Sequence, residues 1–203
     1  MARRGDHTKD ELKDIILSAS RKIIEKEGFQ NLSARKIAKA IKYTPGTLYN
    51  FFKNLDELIL QINAQTLDLL YEALLKATSN ISSKEQVINN ICKCYIDFSF
   101  KHFNFWSVLY EHHFPRPQGE KLPKWYQDKI DRIFRLIEQS LLPFTKNDKK
   151  KSEHLSRVLW ASLHGICILS LTRKLDTASA GSAYMLADSF AKIFTSGIKF
   201  KWS

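Results

Sequence analysis

Thr44-Pro45-Gly46-Thr47-Leu48-Tyr49-Asn50-Phe51-Phe52-Lys53-Asn54-Leu55-Asp56-Glu57-Leu58 is the stretch whose local chemistry decides the fold. Thr44 ahead of Pro45 has the form of an N-cap followed by proline at the first helical position, where the missing N–H costs no hydrogen bond. The pattern predicts a short helix of about two turns, ending at Phe51 or Phe52. Asn54 then predicts a second start, with Asp56 and Glu57 suited to the positive end of a longer helix dipole. Leu58, Ile62, Leu69, Leu70 and Leu74 recur along that longer helix as its apolar face.

Upstream, Ser33 predicts the cap of another short helix with Ile37, Ala38 and Ile41 inward. Further back, Thr8-Lys9-Asp10-Glu11 has the form of a capping box, and Leu12, Ile15, Ile16, Ala19 and Ile23 follow at helical spacing. Gly28 is expected to supply a left-handed stop, with Phe29 and Leu32 as anchors into a core. Three helices of about 19, 8 and 7 residues with a tight turn between the last two have the dimensions of a helix-turn-helix. In such a unit the third helix enters the DNA major groove by its N-terminal end. The same pattern also suits a plain core-packing unit.

The residues favour DNA. Ser33-Ala34-Arg35-Lys36-Ile37-Ala38 followed by the 44–58 stretch closely resembles the DNA-binding motif of the TetR family, most specifically in Gly46-Thr47-Leu48-Tyr49, Phe52 and Lys53. The resemblance covers residues 9–58 strongly and the remainder loosely. It implies that Ser33, Thr47, Tyr49 and Lys53 grip phosphates, their hydroxyl and ammonium groups matching phosphate oxygens. It implies that Arg35, Tyr43, Thr44, Pro45, Gly46, Thr47 and Asn50 lie against bases or the adjoining backbone, Arg35 forking onto guanine and the bare Gly46 allowing close approach. A core role for Tyr49, beside Leu48 and Phe52, stays open at this point. Where the family commonly has glycine and then a small apolar residue, this chain has Lys42-Tyr43. A left-handed backbone at Lys42 would cost about 1 kcal/mol relative to glycine, but its ammonium is well placed for a phosphate.

Downstream the helical pattern continues, with capping signals at Ser82 and Ser83 and apolar positions Val87, Ile88, Ile91, Tyr95 and Phe98. Pro115-Arg116-Pro117-Gln118-Gly119 is the clearest loop signal. Pro123 is expected to open a helix with Trp125, Ile130, Ile133, Phe134, Ile137 and Leu141 inward, closed by Pro143. Lys146 to Lys151 reads as a solvated connector. Two last helices are expected, one carrying Leu155, Leu159, Leu163, Ile166 and Leu169, the other Ala183, Leu186, Phe190, Ile193 and Phe194. Trp160, His164 and Gly165 resemble the signature of one TetR C-terminal subfamily. The resemblance implies a homodimer through the last two helices, with two reading heads facing a palindromic operator in double-stranded DNA. It also implies a small-molecule effector site in the middle helices. The aromatic richness there makes Phe98, Phe103, Trp106, Tyr110, Trp125, Phe134, Trp160 and His164 the candidate lining, suited to an apolar or aromatic ligand. Each of them can equally be core packing.

Composition sets the outer limits. Apolar residues at 44% exclude a disordered chain, and only seven glycines and five prolines disfavour a turn-rich β protein. The formal charge of +11 points to a polyanionic partner. Residues 1–54 hold twelve Lys/Arg against six Asp/Glu, so the excess is concentrated where the motif lies. No 18 consecutive apolar residues occur, and a cytoplasmic protein without a membrane span is expected. Cys92, Cys94 and Cys167 lack metal-type spacing and are read as reduced thiols. His112 and His113 are adjacent and cannot serve one site on a regular helix, so no metal and no cofactor is expected. No phosphate loop, nucleophile elbow or carboxylate pair stands out, which disfavours an enzyme.

The expected architecture is all-α, with about nine helices: a helix-turn-helix DNA-binding domain over 1–54 and an effector-binding and dimerisation bundle over 55–203. A repressor released by its effector is the leading reading. A helical small-molecule-binding protein, an architectural DNA binder without ligand control, and an activator remain alternatives.

Overall fold

The computed structural model describes residues 7–114 and 121–202. Capping chemistry starts the first helices where the sequence places the caps. The Thr8 hydroxyl accepts from the Glu11 amide at 3.3 Å and the Glu11 carboxylate accepts from the Thr8 amide at 2.7 Å, so α1 runs Lys9–Glu27. Gly28 ends it with φ 79° and ψ 163°, a positive-φ but extended conformation in place of the left-handed helical stop expected there. After one 3-10 turn, the Ser33 hydroxyl accepts from the Lys36 amide at 3.3 Å and α2 runs Ala34–Ile41.

Thr44 precedes α3, Pro45–Leu48, which is one turn where about two were expected. Tyr49 already has ψ −7°, and the amides of Asn50 and Phe51 donate to carbonyls three residues back. Leu48 and Phe52, four residues apart, are both buried, and the Phe52 amide donates to the Leu48 carbonyl at 3.0 Å. The Asn54 side chain then accepts from the Glu57 amide at 2.9 Å and α4 runs Leu55–Thr78.

The remaining helices are α5 Lys84–Lys101, α6 Phe103–Glu111, α7 Lys124–Leu141, α8 Lys149–Leu171, α9 Lys174–Thr177 and α10 Ala183–Trp202. Ten helices and no strand occur among the described residues, an all-α fold; the helix beyond the expected nine is the four-residue α9. The Pro115–Gly119 loop signal lies outside the described residues.

Contacts divide the chain into two compact units. The first takes residues 1–66 and 103–122 and so includes α6, which the sequence division at residue 54 assigned to the second domain. Its core holds Ile16, Ile24, Ile37, Leu48, Leu58 and Ile62, with Phe105 and Val108 contributed by α6. Burying each such side chain is worth about 1.5–3 kcal/mol. Polar ties also hold α6 here: the Asn104 amide donates to the Glu25 carbonyl at 2.8 Å, and His112 Nε2 lies 2.8 Å from Asp56 Oδ1.

The second unit takes residues 67–102 and 123–203. Within it α10 lies along α5, α7 lies along α8, and α5 touches both α7 and α8. Ser83 caps α5 and Asp148 caps α8, so α8 begins inside the stretch expected to be connector. Trp125 is 40% exposed in place of its expected inward position, and Tyr126 is buried instead. Tyr126 keeps helical register with Ile130, Ile133, Ile137 and Leu141, whereas Trp125 sits about 100° away on the helix. Leu169 and Ile193, also expected inward, are 44% and 72% exposed within the single chain.

Candidate nucleic-acid interface

The reading head is positioned from beneath by Leu48 and Phe52, each 2% exposed, which pin α3 and the turn after it to the core. α2 ends at Lys42 with φ 61° and ψ 36°, so the left-handed backbone expected of this non-glycine residue is what the turn uses. The Tyr43 amide donates to the Ala38 carbonyl at 2.9 Å and closes the helix end. Thr44 and Thr47 hydroxyls lie 3.2 Å apart on α3, leaving Thr47 half-buried at its base.

Most of the candidate DNA residues, all in the first unit, are accessible. Ser33, Arg35, Lys42, Thr44, Pro45, Gly46, Tyr49, Asn50 and Lys53 are exposed, and Tyr43 and Thr47 half-buried. Tyr49 is 53% exposed, so it is not part of the core that its neighbours Leu48 and Phe52 join. A Cβ built on Gly46 would meet only the Thr44 hydroxyl, at 3.9 Å. Neither backbone conformation nor packing within the chain requires glycine there. The Lys53 amide donates to the Glu57 carboxylate at 2.6 Å, fixing the backbone at the entry to α4 while its side chain stays exposed.

Residues 33–53 contain Arg35, Lys36, Lys39, Lys42 and Lys53 and no Asp or Glu. Lys36 is paired with Glu27, whereas Arg35, Lys39, Lys42 and Lys53 make no ion pair among the described residues. Lys39 was not among the residues picked out from sequence, yet it is exposed on the face of α2 that it shares with Arg35. The i, i+4 spacing of the two was the signal for it. This arrangement, a positive surface of donors around a one-turn helix with an uncovered glycine, can accept a phosphate backbone and let main chain approach base edges.

Several of the candidate effector residues make ring contacts with one another or with close neighbours. Phe134 meets Trp160 edge-on at 5.9 Å, Trp160 stacks on His164 at 5.9 Å, and His164 Nδ1 is 3.4 Å from the Tyr95 hydroxyl. Burial holds the His164 imidazole below its usual pKa. Arg157 lies over the Phe134 ring, 4.2 Å from its centroid. Phe98 is buried on α5 against His102. Trp106 and Tyr110 pack together on α6 in the first unit, and Phe103 and Trp125 are exposed. Burial pushes the Cys92 thiol up to about 12 and those of Cys94 and Cys167 to about 11, far from thiolate chemistry near neutrality. No three His, Cys, Asp or Glu side chains group as a metal site among the described residues.

The family profile described as bacterial regulatory proteins, tetR family, matches residues 16–62, spanning the reading head, and the profile of the tetracyclin repressor-like C-terminal domain matches residues 88–192. The chain belongs to the TetR family. Over 68 residues, 34% of the chain, it is 35% identical to an uncharacterised HTH-type transcriptional regulator of Haemophilus influenzae, and the match spans 36% of that relative's length. A protein of unknown function from Rhodococcus sp. RHA1 shares the fold with a TM-score of 0.73 at 16% identity, over 97% of this chain and 98% of that one. The regulator FadR of Bacillus subtilis, solved with stearoyl-CoA, superposes with a TM-score of 0.65 at 14% identity, over 91% of this chain and 98% of its own. At these identities the likeness is one of fold alone. This TetR-family chain is a DNA-binding transcriptional regulator of helix-turn-helix type, and α3 lies within the segment that the first profile matches.

Proposed function

We propose that this TetR-family regulator is a repressor: a cytoplasmic homodimer that holds a palindromic operator and releases it when a small apolar or aromatic effector binds the second unit. The observation that carries the reading is the outward set Arg35, Lys42, Tyr49, Asn50 and Lys53 around the uncovered Gly46. Lys42, Tyr49 and Lys53 hold phosphates and Arg35 and Asn50 read bases.

Dimerisation through α8 and α10 is supported by apolar surface that the single chain leaves open. α8 is long and apolar enough to cross a membrane by length and composition, yet its most apolar window is only 22% buried. Val158, Ile168 and Leu169 on α8 and Met185 and Ile193 on α10 are exposed, and a Cβ at Gly165 or Gly197 would meet nothing within 4 Å. A second copy covering these faces satisfies both observations and would set two reading heads about one helical turn of DNA apart.

Control runs through α4, whose residues 55–66 belong to the first unit and 67–78 to the second. Effector binding shifts α4 and with it the spacing of the two heads, so effector and operator weaken each other's binding by the same factor. Selection of bound duplexes from a random DNA pool tests the reading. The expected product is a two-fold symmetric site; a pool that shows no enrichment after repeated rounds at moderate salt contradicts it.

A further inference from the structure

The second unit carries a groove of about 690 Å³ between the C-terminal half of α4, the start of α5 and one face of α7. It is separate from the aromatic ladder of Phe134, Trp160 and His164, because α7 turns Arg132, Leu136, Gln139 and Ser140 into the groove and Phe134 toward α8. Helical spacing of three and four residues puts the first set on one face and Phe134 off it. The volume lies within the range of small-molecule sites.

The lining is amphipathic in a specific way. Leu75, Ile81, Val87 and Leu136 supply apolar wall. Lys84, Arg132 and Arg135 supply three cations, and no carboxylate lines the groove among the described residues. Arg132 is held in place before any ligand arrives: its guanidinium stacks on Tyr71, 4.3 Å from the ring centroid, and pairs with Asp68, which Lys129 also reaches at 2.7 Å. Its Nε–H is buried without an acceptor. The Arg132 side chain as a whole is 32% exposed, so part of it is open to an anion in the groove it lines.

Resting on the reading of the second unit as the sensing one, we infer that this groove binds an anionic amphiphile, a carboxylate or phosphate head on Lys84, Arg132 and Arg135 with an apolar chain along Leu75, Ile81 and Leu136. The Tyr71 stack and the Asp68 pair fix the Arg132 fork, and Arg135 and Lys84, both exposed, close on the head from the rim.

Calorimetric titration of the full chain without DNA tests this with decanoate, decyl phosphate and decanol. Saturable binding is expected for one or both anions, with decanol at least about tenfold weaker. The better anion identifies the head. Lys84→Gln with Arg135→Gln, which leaves the Arg132–Asp68 pair intact, is expected to weaken the anions at least about tenfold. Decanol binding as tightly as the anions, undiminished binding by the double variant, or no binding of any probe overturns the inference. A parallel gel shift on the selected duplex separates it from the repressor reading. A chain that shifts DNA but binds neither anion sinks the groove alone. One that binds the anions but shifts no duplex upholds the groove and sinks the repressor.

Discussion

We propose that Lys53 and Arg35, both exposed, take different work on DNA. Lys53 stands at the entry to α4, its amide fixed by Glu57, and offers a point charge to a phosphate. Arg35, on the exposed face of α2, offers a planar fork to a base edge. Lys53→Ala is expected to weaken binding of every duplex and to flatten the dependence of affinity on salt by about one unit. Arg35→Ala is expected to relax base choice at one position, at a cost of about 1–3 kcal/mol for the preferred site. Titrations of matched and mismatched duplexes at several salt concentrations check both, and a changed specificity with an unchanged salt slope in Lys53→Ala would reverse the roles. Lys42 sits in a left-handed conformation with φ 61° and spends stability to keep an ammonium at the turn. Lys42→Gly is expected to raise unfolding stability by about 0.5–1 kcal/mol while lowering DNA affinity. Chemical denaturation and gel shift read the two effects separately.

At the scale of the elements, what could be read beforehand was what local chemistry determines. α1, α2 and α4 begin at Thr8, Ser33 and Asn54 because a side-chain oxygen there meets a backbone amide three residues on. The length of α3 was not legible, because Tyr49 ends it with ψ −7° at a point that no glycine or proline marks. The break between α5 and α6 at His102 has no glycine or proline to mark it, and the docking of α6 on the first unit rests on Asn104 and Phe105 meeting α1 and its surroundings. The meeting of Phe134 with Trp160 was not legible either, because aromatic composition marks a region and only packing decides which rings meet. Arg132 and Arg135 share a face of α7, but Lys84 stands too far from them in the chain to be linked with them by any local pattern. Within α8, His164 is held below its usual pKa by burial. A His that resists protonation when folded contributes stability that is present above its unfolded pKa of about 6.5 and is lost as pH falls below it. Thermal unfolding at pH 7.5 and pH 5.5 is therefore expected to show a larger acid loss for the native chain than for His164→Gln. Equal losses would mean that burial at this position does not govern its titration.

For the molecule as a whole, the proposed dimer makes the function possible, since one reading head alone covers half a palindrome. Ile193 is 72% exposed in the single chain, so its replacement leaves each subunit's own core untouched. Ile193→Asp is expected to shift the chain from dimer to monomer in sedimentation experiments and to lower operator affinity with it. A variant that stayed dimeric would move the interface away from this face of α10. The central claim, that the surface around α3 recognises duplex DNA by sequence, is tested most directly by competing the selected duplex against random duplex in an equilibrium titration at physiological salt. The account predicts a preference of at least about a thousandfold and two protomers on each bound duplex. Equal affinity for the two duplexes would contradict it.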